Sequence, residues 1–201
     1  MSDLYLASQS PRRRELLQQI GVRFTALAVS VPERPDSHES AADYVQRLAL
    51  EKARAGYQHV QSEQLPERPV LGADTVGVLE GKILEKPLDS EHGIAMLRRL
   101  SGRVHQVLSA VAICDGVSEQ VRLSITDVHF RPLDETEIRA YWHSGEPADK
   151  AGGYAIQGLG AVFVQSLQGS YSGVVGLPLE ETVELLRDFQ VPWWQTGAGS
   201  E

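Results

Sequence analysis

The sequence predicts an α/β protein with a mixed central sheet flanked by helices, arranged as two lobes with a cleft between them. Three observations carry that expectation. Apolar strand-like runs alternate with helical stretches through the first half. The second half opens with two long strand-like runs joined through Asp115-Gly116, a hairpin signal. The chain has 201 residues, 42% of them apolar, enough to bury a core within one domain.

Taken in order, residues 4–7 read as a strand and 11–20 as a helix stopped by Gly21. A second strand is expected over 24–31, then a proline-bounded loop over 32–36. Residues 39–57 form a long amphipathic helix. Residues 69–79 read as an apolar strand broken by Gly72, Asp74 and Thr75, and Glu80-Gly81 as a turn. A helix over 90–100 closes at Ser101-Gly102. Strands over 104–114 and 121–130 precede a helix over 134–144, and a glycine-rich segment spans 151–160. Strands are expected near 161–167 and 171–175, and a helix over 178–189. Residues 1–191 thus make one domain and 192–201 a tail opening on Pro192-Trp193-Trp194.

Composition excludes several classes. No stretch approaches the roughly 20 apolar residues that span a membrane. The first residues lack a signal-peptide pattern, so the cytosol is the expected compartment. The single cysteine, Cys114, sits in a strand-like run and reads as packing; the six histidines form no zinc spacing. A net charge of −8 makes a poor general nucleic-acid binder, but an acidic body with one basic pocket suits a small phosphorylated ligand.

That pocket is announced at Ser8-Gln9-Ser10-Pro11-Arg12-Arg13-Arg14. Ser10 is a good N-cap and Pro11 a good first helical residue, which puts three arginines in the first turn. A helix N-terminus already carries partial positive charge, so cations there call for an anion among them. Backbone N–H groups, two hydroxyls and guanidinium forks together make a phosphate site. Successive helical residues point about a hundred degrees apart, so two arginines can share a ligand and the third is spare.

Further along, Lys52 lies on or beside the inward stripe of the long helix. It needs a cleft phosphate or a metal-bound carboxylate as partner, unless its stem lies along the core rim. Asp74 in Gly72-Ala73-Asp74-Thr75 is expected at a strand end, where α/β proteins keep their sites. Glu85-Lys86 is held rigid by Pro87, and Glu33 lies between Pro32 and Pro35. Each is ordinary alone. Carboxylates at 33, 74 and 85 beside Arg12, Arg13, Lys52 and Lys86 are what a Mg²⁺-dependent phosphoryl enzyme needs. There is no Walker pattern and no Gly-x-Ser-x-Gly elbow, so Ser8 and Ser10 are better ligands than nucleophiles. Gln157 in the glycine-rich segment could meet the donor and acceptor of a uracil or thymine edge, although read alone the segment is better explained as a strained turn.

The opening Ser8-Gln9-Ser10-Pro11-Arg12-Arg13, Lys52, Leu71-Gly72-Ala73-Asp74-Thr75, Leu84-Glu85-Lys86-Pro87, Leu100-Ser101-Gly102, Asp149-Lys150-Ala151-Gly152 and Ile156-Gln157-Gly158 together resemble the Maf family of nucleoside triphosphate pyrophosphatases. The resemblance implies a two-lobed fold similar to inosine triphosphate pyrophosphatase, a divalent cation (Mg²⁺, with Mn²⁺ as substitute) and a homodimer. It implies cleavage of dTTP and UTP to the monophosphate and pyrophosphate. The family's proton acceptor falls on Asp74, and its substrate-selecting positions on Arg12, Thr75 and Gln157, in the pattern of the dTTP/UTP subgroup. On that basis Ser8, Ser10, Arg13, Lys52 and Lys86 hold the triphosphate, and Glu33, Asp74 and Glu85 hold the metal. Two other readings share this site: a hydrolase of modified pyrimidine nucleotides, and a non-catalytic nucleotide-binding regulator of cell division.

Overall fold

The computed structural model describes residues 2–36 and 38–195. Strands β1 (Leu4–Leu6), β2 (Phe24–Ala26), β3 (Val70–Leu79), β4 (Lys82–Leu84), β5 (Val104–Cys114), β6 (Glu119–Phe130) and β7 (Val164–Gln168) form one mixed seven-stranded sheet. Their order is β2-β1-β3-β5-β6-β7, with β4 also paired to β3. β1 runs parallel to β2 and β3, and the other pairs are antiparallel. Around it lie α1 (Pro11–Gln19), α2 (Ala41–Ser62), α3 (Ser90–Leu100), α4 (Glu135–His143), α5 (Tyr171–Val175) and α6 (Leu179–Asp188). The expected mixed sheet flanked by helices is present. No described helix is long and apolar enough to cross a membrane.

The register of β3 positions the site. Its odd residues Leu71 and Ala73 pack with α1 and α6, and Leu79 packs with α3 and α4. Facing them on β5 are Ile113 and Val111 in the first cluster and Val107 in the second. Between the two clusters this face carries Thr75, Gly77 and Ser109, small or polar groups that leave a trough. The even residues Val76 and Val78 face α2 in a third cluster. The opposite edge of β3 is split: Leu71 is the last residue paired to β1 and Gly77 the first paired to β4. Among the described residues the stretch between them has no strand neighbour on that edge, so groups from both faces can meet there.

Several elements depart from the sequence expectation. β3 is continuous through Gly72, Asp74 and Thr75, because its pairing with β5 runs from Val70 to Val78 and helices cover both faces. Asp74 is therefore mid-strand, and it is β1 that ends beside it. Gly72 serves packing: a Cβ there would lie 2.3 Å from Ala49 O and 2.5 Å from Ala53 N, so α2 rests directly on the strand. Such backbone cannot give way, and overpacking of this kind costs about 1–3 kcal/mol. Gly56 likewise seats α2 against Val70 and Ala7, so the helix runs on to Ser62. Residues 171–175 are helix α5, not strand, because Ser170 caps the turn by accepting from Gly173 N at 3.0 Å. β2 is shorter than expected, and β7 starts at Val164 after a 3₁₀ turn over Leu159–Phe163. Glu80 and Gly81 both have positive φ, 53° and 75°, as a two-residue type I′ hairpin requires. Cys114 is buried. Of the tail, Trp194 N donates to Ile20 O at 2.6 Å and Gln195 Nε2 to Asp3 Oδ2 at 2.8 Å, whereas 196–201 lie outside the described residues.

Candidate active site

A cleft of about 400 Å³ opens over the trough and the split edge. Ser10, Arg12, Arg13, Glu33, Lys52, Asp74, Thr75, Lys86 and Gln157 all line it. Nine residues of the sequence pattern, spread from Ser10 to Gln157, thus converge on one place.

At one end the charges fix each other. β1 delivers the chain to Ser8, and Ser10 takes the N-cap position of α1 with Pro11 behind it. The Ser10 hydroxyl makes no capping bond. Instead the Ser10 N–H donates to Ser8 Oγ at 3.2 Å. Arg13 turns inward: Nε donates to Gly176 O at 2.8 Å, Nη1 to Ser8 Oγ at 3.3 Å and Nη2 to Thr75 Oγ1 at 3.4 Å. All three acceptors are neutral, so the guanidinium is oriented without being neutralised. Burial lowers its pKa, the Asp74 and Glu33 carboxylates oppose that, and neighbouring Arg12 adds to it. Opposite, Lys52 Nζ sits 2.6 Å from Glu33 Oε1 and 2.7 Å from Asp74 Oδ1. The partner that Lys52 needs is therefore a pair of carboxylates. Asp74 is 8% exposed, whereas the Glu33 side chain is half exposed at 52%. Burial pushes the Glu33 carboxyl up; the Lys52 hydrogen bond and charge, with Lys86 and Arg13 behind, more than offset it and hold the pKa below the ordinary carboxylate range.

Glu85 does not join this group. Leu84 is fixed in the core, and the next residue of the extended chain is exposed, outside the residues that line the cleft. Among the described residues no three of His, Cys, Asp and Glu make a group able to hold a metal ion. Glu33 and Asp74 still suit Mg²⁺, which is usually bound through one or two carboxylates together with substrate phosphates.

The other end is mostly apolar, with Lys150 also in the cleft lining. Gly77, Leu84, Val107, Tyr154, Ala155 and Ile156 wall it, and Gln157 stands exposed on the loop above. His105 is 2% exposed, and its Nε2 meets Tyr154 Oη at 2.7 Å. Burial pushes its pKa down to about 4, so the imidazole is neutral. Thr75 joins the two ends. Ser109 donates its one proton to Gly173 O at 2.6 Å. The 2.8 Å contact between Thr75 Oγ1 and Ser109 Oγ therefore has Thr75 as donor. With its proton committed and one lone pair on Arg13, Thr75 meets a ligand as an acceptor.

Residues 3–189 match the family described as Maf-like protein. The chain belongs to the Maf-like family. It is 58% identical over 194 residues to the dTTP/UTP pyrophosphatase of Saccharophagus degradans, covering 96% of this chain and 92% of that one. It is 53% identical over 189 residues to the dTTP/UTP pyrophosphatase of Escherichia coli O157:H7, covering 94% of each. In structure it is similar to the Staphylococcus aureus Ham1 protein, with a TM-score of 0.52 over 93% of this chain and 97% of that one at 12% identity, a likeness of fold.

Sequence reasoning missed His105 and Tyr154 in this Maf-like cleft, and Ser109 behind Thr75. Alternation along residues 104–114 puts 105, 107 and 109 on one face, and a polar pair interrupting an apolar face was the available signal.

Proposed function

We propose that this cleft hydrolyses dTTP and UTP between the α- and β-phosphates, releasing the nucleoside monophosphate and pyrophosphate. The observation that carries the reading is the meeting, in one cleft, of a guanidinium held only by neutral acceptors and a carboxylate pair bound to one lysine. Relatives more than half identical over nearly the whole chain carry the matching name.

Arg13, with Ser8, Ser10 and Lys86, holds the triphosphate; its neutral anchors leave its charge for the ligand. Lys52 keeps Asp74 and Glu33 oriented toward the phosphates. Asp74 takes the proton of the attacking water, a role for a rigidly held carboxylate within reach of the scissile phosphate. Glu33 and Asp74 would hold the divalent cation, Mg²⁺ or Mn²⁺, which supplies neutralisation of phosphate charge when bound. Arg13 and Lys86 then stabilise charge building on the leaving pyrophosphate. Arg12, Thr75 and Gln157 read the base. The cytosol, where nucleotides are made and used, is the compartment this activity needs, and a homodimer is the assembly the family resemblance implies.

Pyrophosphate release measured across the common nucleoside triphosphates with Mg²⁺ tests the reading. Turnover led by dTTP and UTP is expected. Binding without turnover of any of them rejects it.

A further inference from the structure

The loop that carries Gln157 is held from outside the cleft. The Glu146 carboxylate, in a 3₁₀ turn after α4, accepts from Leu159 N at 2.9 Å through Oε2 and from Gly160 N at 3.0 Å through Oε1. Oε1 also accepts from Tyr141 Oη at 2.6 Å, and that phenol oxygen in turn accepts from Ala155 N at 3.1 Å. The chain is thus tied two residues before Gln157 and again two and three residues after it, through one carboxylate and one phenol. Within the loop Gly158 N donates to Ala155 O at 3.2 Å, closing a tight turn. A Cβ on Gly158 would lie 2.1 Å from Glu146 Oε2, so the carboxylate reaches its amides only because residue 158 is glycine. Tyr141 is also packed edge-on against Phe163, with ring centroids 4.8 Å apart, so the clamp stands on the core.

We infer that Glu146 and Tyr141 are positioning residues that hold the 155–160 loop in the one shape that presents Gln157 to the base, and so set base selectivity without touching the nucleotide. The inference rests on Gln157 reading the base. The carboxylate is suited to this because it accepts from three donors at once; a carboxamide placed there must turn an N–H₂ toward at least one of them. Burial pushes its pKa up, and Tyr141 and the two amides more than offset this, so it stays ionised above the acid range.

The test compares the wild-type protein, Glu146→Gln, Tyr141→Phe and Gly158→Ala in steady-state hydrolysis of UTP and CTP, with inhibition by UMP and by pyrophosphate. Loss of hydrogen bonds to a charged group predicts a UTP-over-CTP preference lower by about tenfold in Glu146→Gln, carried by KM more than by kcat. UMP inhibition should weaken to match, while inhibition by pyrophosphate, which has no base, stays within about twofold of the wild type. Gly158→Ala displaces the carboxylate by sterics alone; it should reproduce the effect and add nothing when combined with Glu146→Gln. It also decides the question if Glu146→Gln does not fold. An unchanged UTP-over-CTP ratio, or equal weakening of UMP and pyrophosphate, overturns the inference. Failure of the wild-type protein to hydrolyse UTP or dTTP instead overturns the function on which it rests.

Discussion

The two ends of the cleft are built by opposite means. At the end proposed to hold the phosphates, side chains fix side chains: Lys52 grips Glu33 and Asp74, and Arg13 reaches Ser8 and Thr75. At the end proposed to take the base, the shape of a backbone loop is fixed from behind by Glu146 and Tyr141. Charge is needed where phosphate charge changes during reaction. A fixed surface of donors and acceptors is needed where a flat, uncharged base is chosen. Substitutions at the first end should therefore act on turnover, and those at the second on selectivity.

The largest effect should come from Asp74→Asn. The amide keeps an oxygen for Lys52 but cannot take a proton from water. Turnover should fall by about 10³-fold, within the range for loss of general-base catalysis, with KM for dTTP little changed. Retention of kcat within tenfold of the wild type would place the proton acceptor elsewhere.

Next is Lys52→Met. It leaves Glu33 and Asp74 as unshielded like charges, each of which had been within 2.7 Å of the ammonium. The Glu33 carboxyl, held low by that ammonium, should then keep its proton to higher pH. The acid limb of kcat/KM should move to higher pH, and kcat/KM at neutral pH should fall by about 10²-fold. An acid limb that stays in place in the variant would show that the lysine does not govern the ionisation of Glu33.

These two residues also mark how far the sequence can be read. The arginine cluster at a helix start is legible because charge at an unfavourable place demands a partner, and carboxylates follow it in three successive segments of the same half. What Lys52 would touch was left open, since helical spacing gives a face and not a neighbour. Asp74 was expected at a strand end because Gly72 looked like a break, but that glycine answers to α2 pressed on the strand, a tertiary contact no local pattern reveals. Glu85 matched the pattern of its neighbours, but the anchoring of Leu84 turns it outward. Residues 171–175 read as strand from their composition, and one serine cap decided otherwise. The base end was nearly silent, because Glu146 acts on backbone amides thirteen and fourteen residues away.

A third effect separates the ends by pH. His105, beneath the Tyr154 end, has its pKa pushed down to about 4 by burial, against 6.5 for the ordinary side chain. The unfolded chain binds this proton more readily than the folded one, so unfolding free energy rises with pH across that window. Stability from this site is complete above about pH 6.5 and is lost as pH falls toward 4, by roughly 3 kcal/mol at the lower limit. Urea unfolding at pH 7.5 and pH 5 reads the difference. His105→Leu should flatten it, and an undiminished pH dependence in that variant would assign the acid sensitivity to other groups.

The smallest effect tests the seam. Thr75 donates to Ser109 because Ser109 has already given its proton to Gly173 O. Ser109→Ala removes that acceptor and frees the Thr75 proton, which can then turn to Gly176 O, now 3.4 Å away, or into the cleft. A threonine able to donate no longer distinguishes a ring N–H from a ring acceptor. Cytosine and uracil differ at this ring position in just that sense, so CTP should gain on UTP by about three- to tenfold, the worth of one ordinary hydrogen bond. Arg13 keeps its other anchors on Gly176 and Ser8, so pyrophosphate inhibition should be nearly unaffected. Equal losses with both nucleotides would mean that Ser109 supports the phosphate end through Arg13, and that Thr75 belongs with the charges rather than with the base.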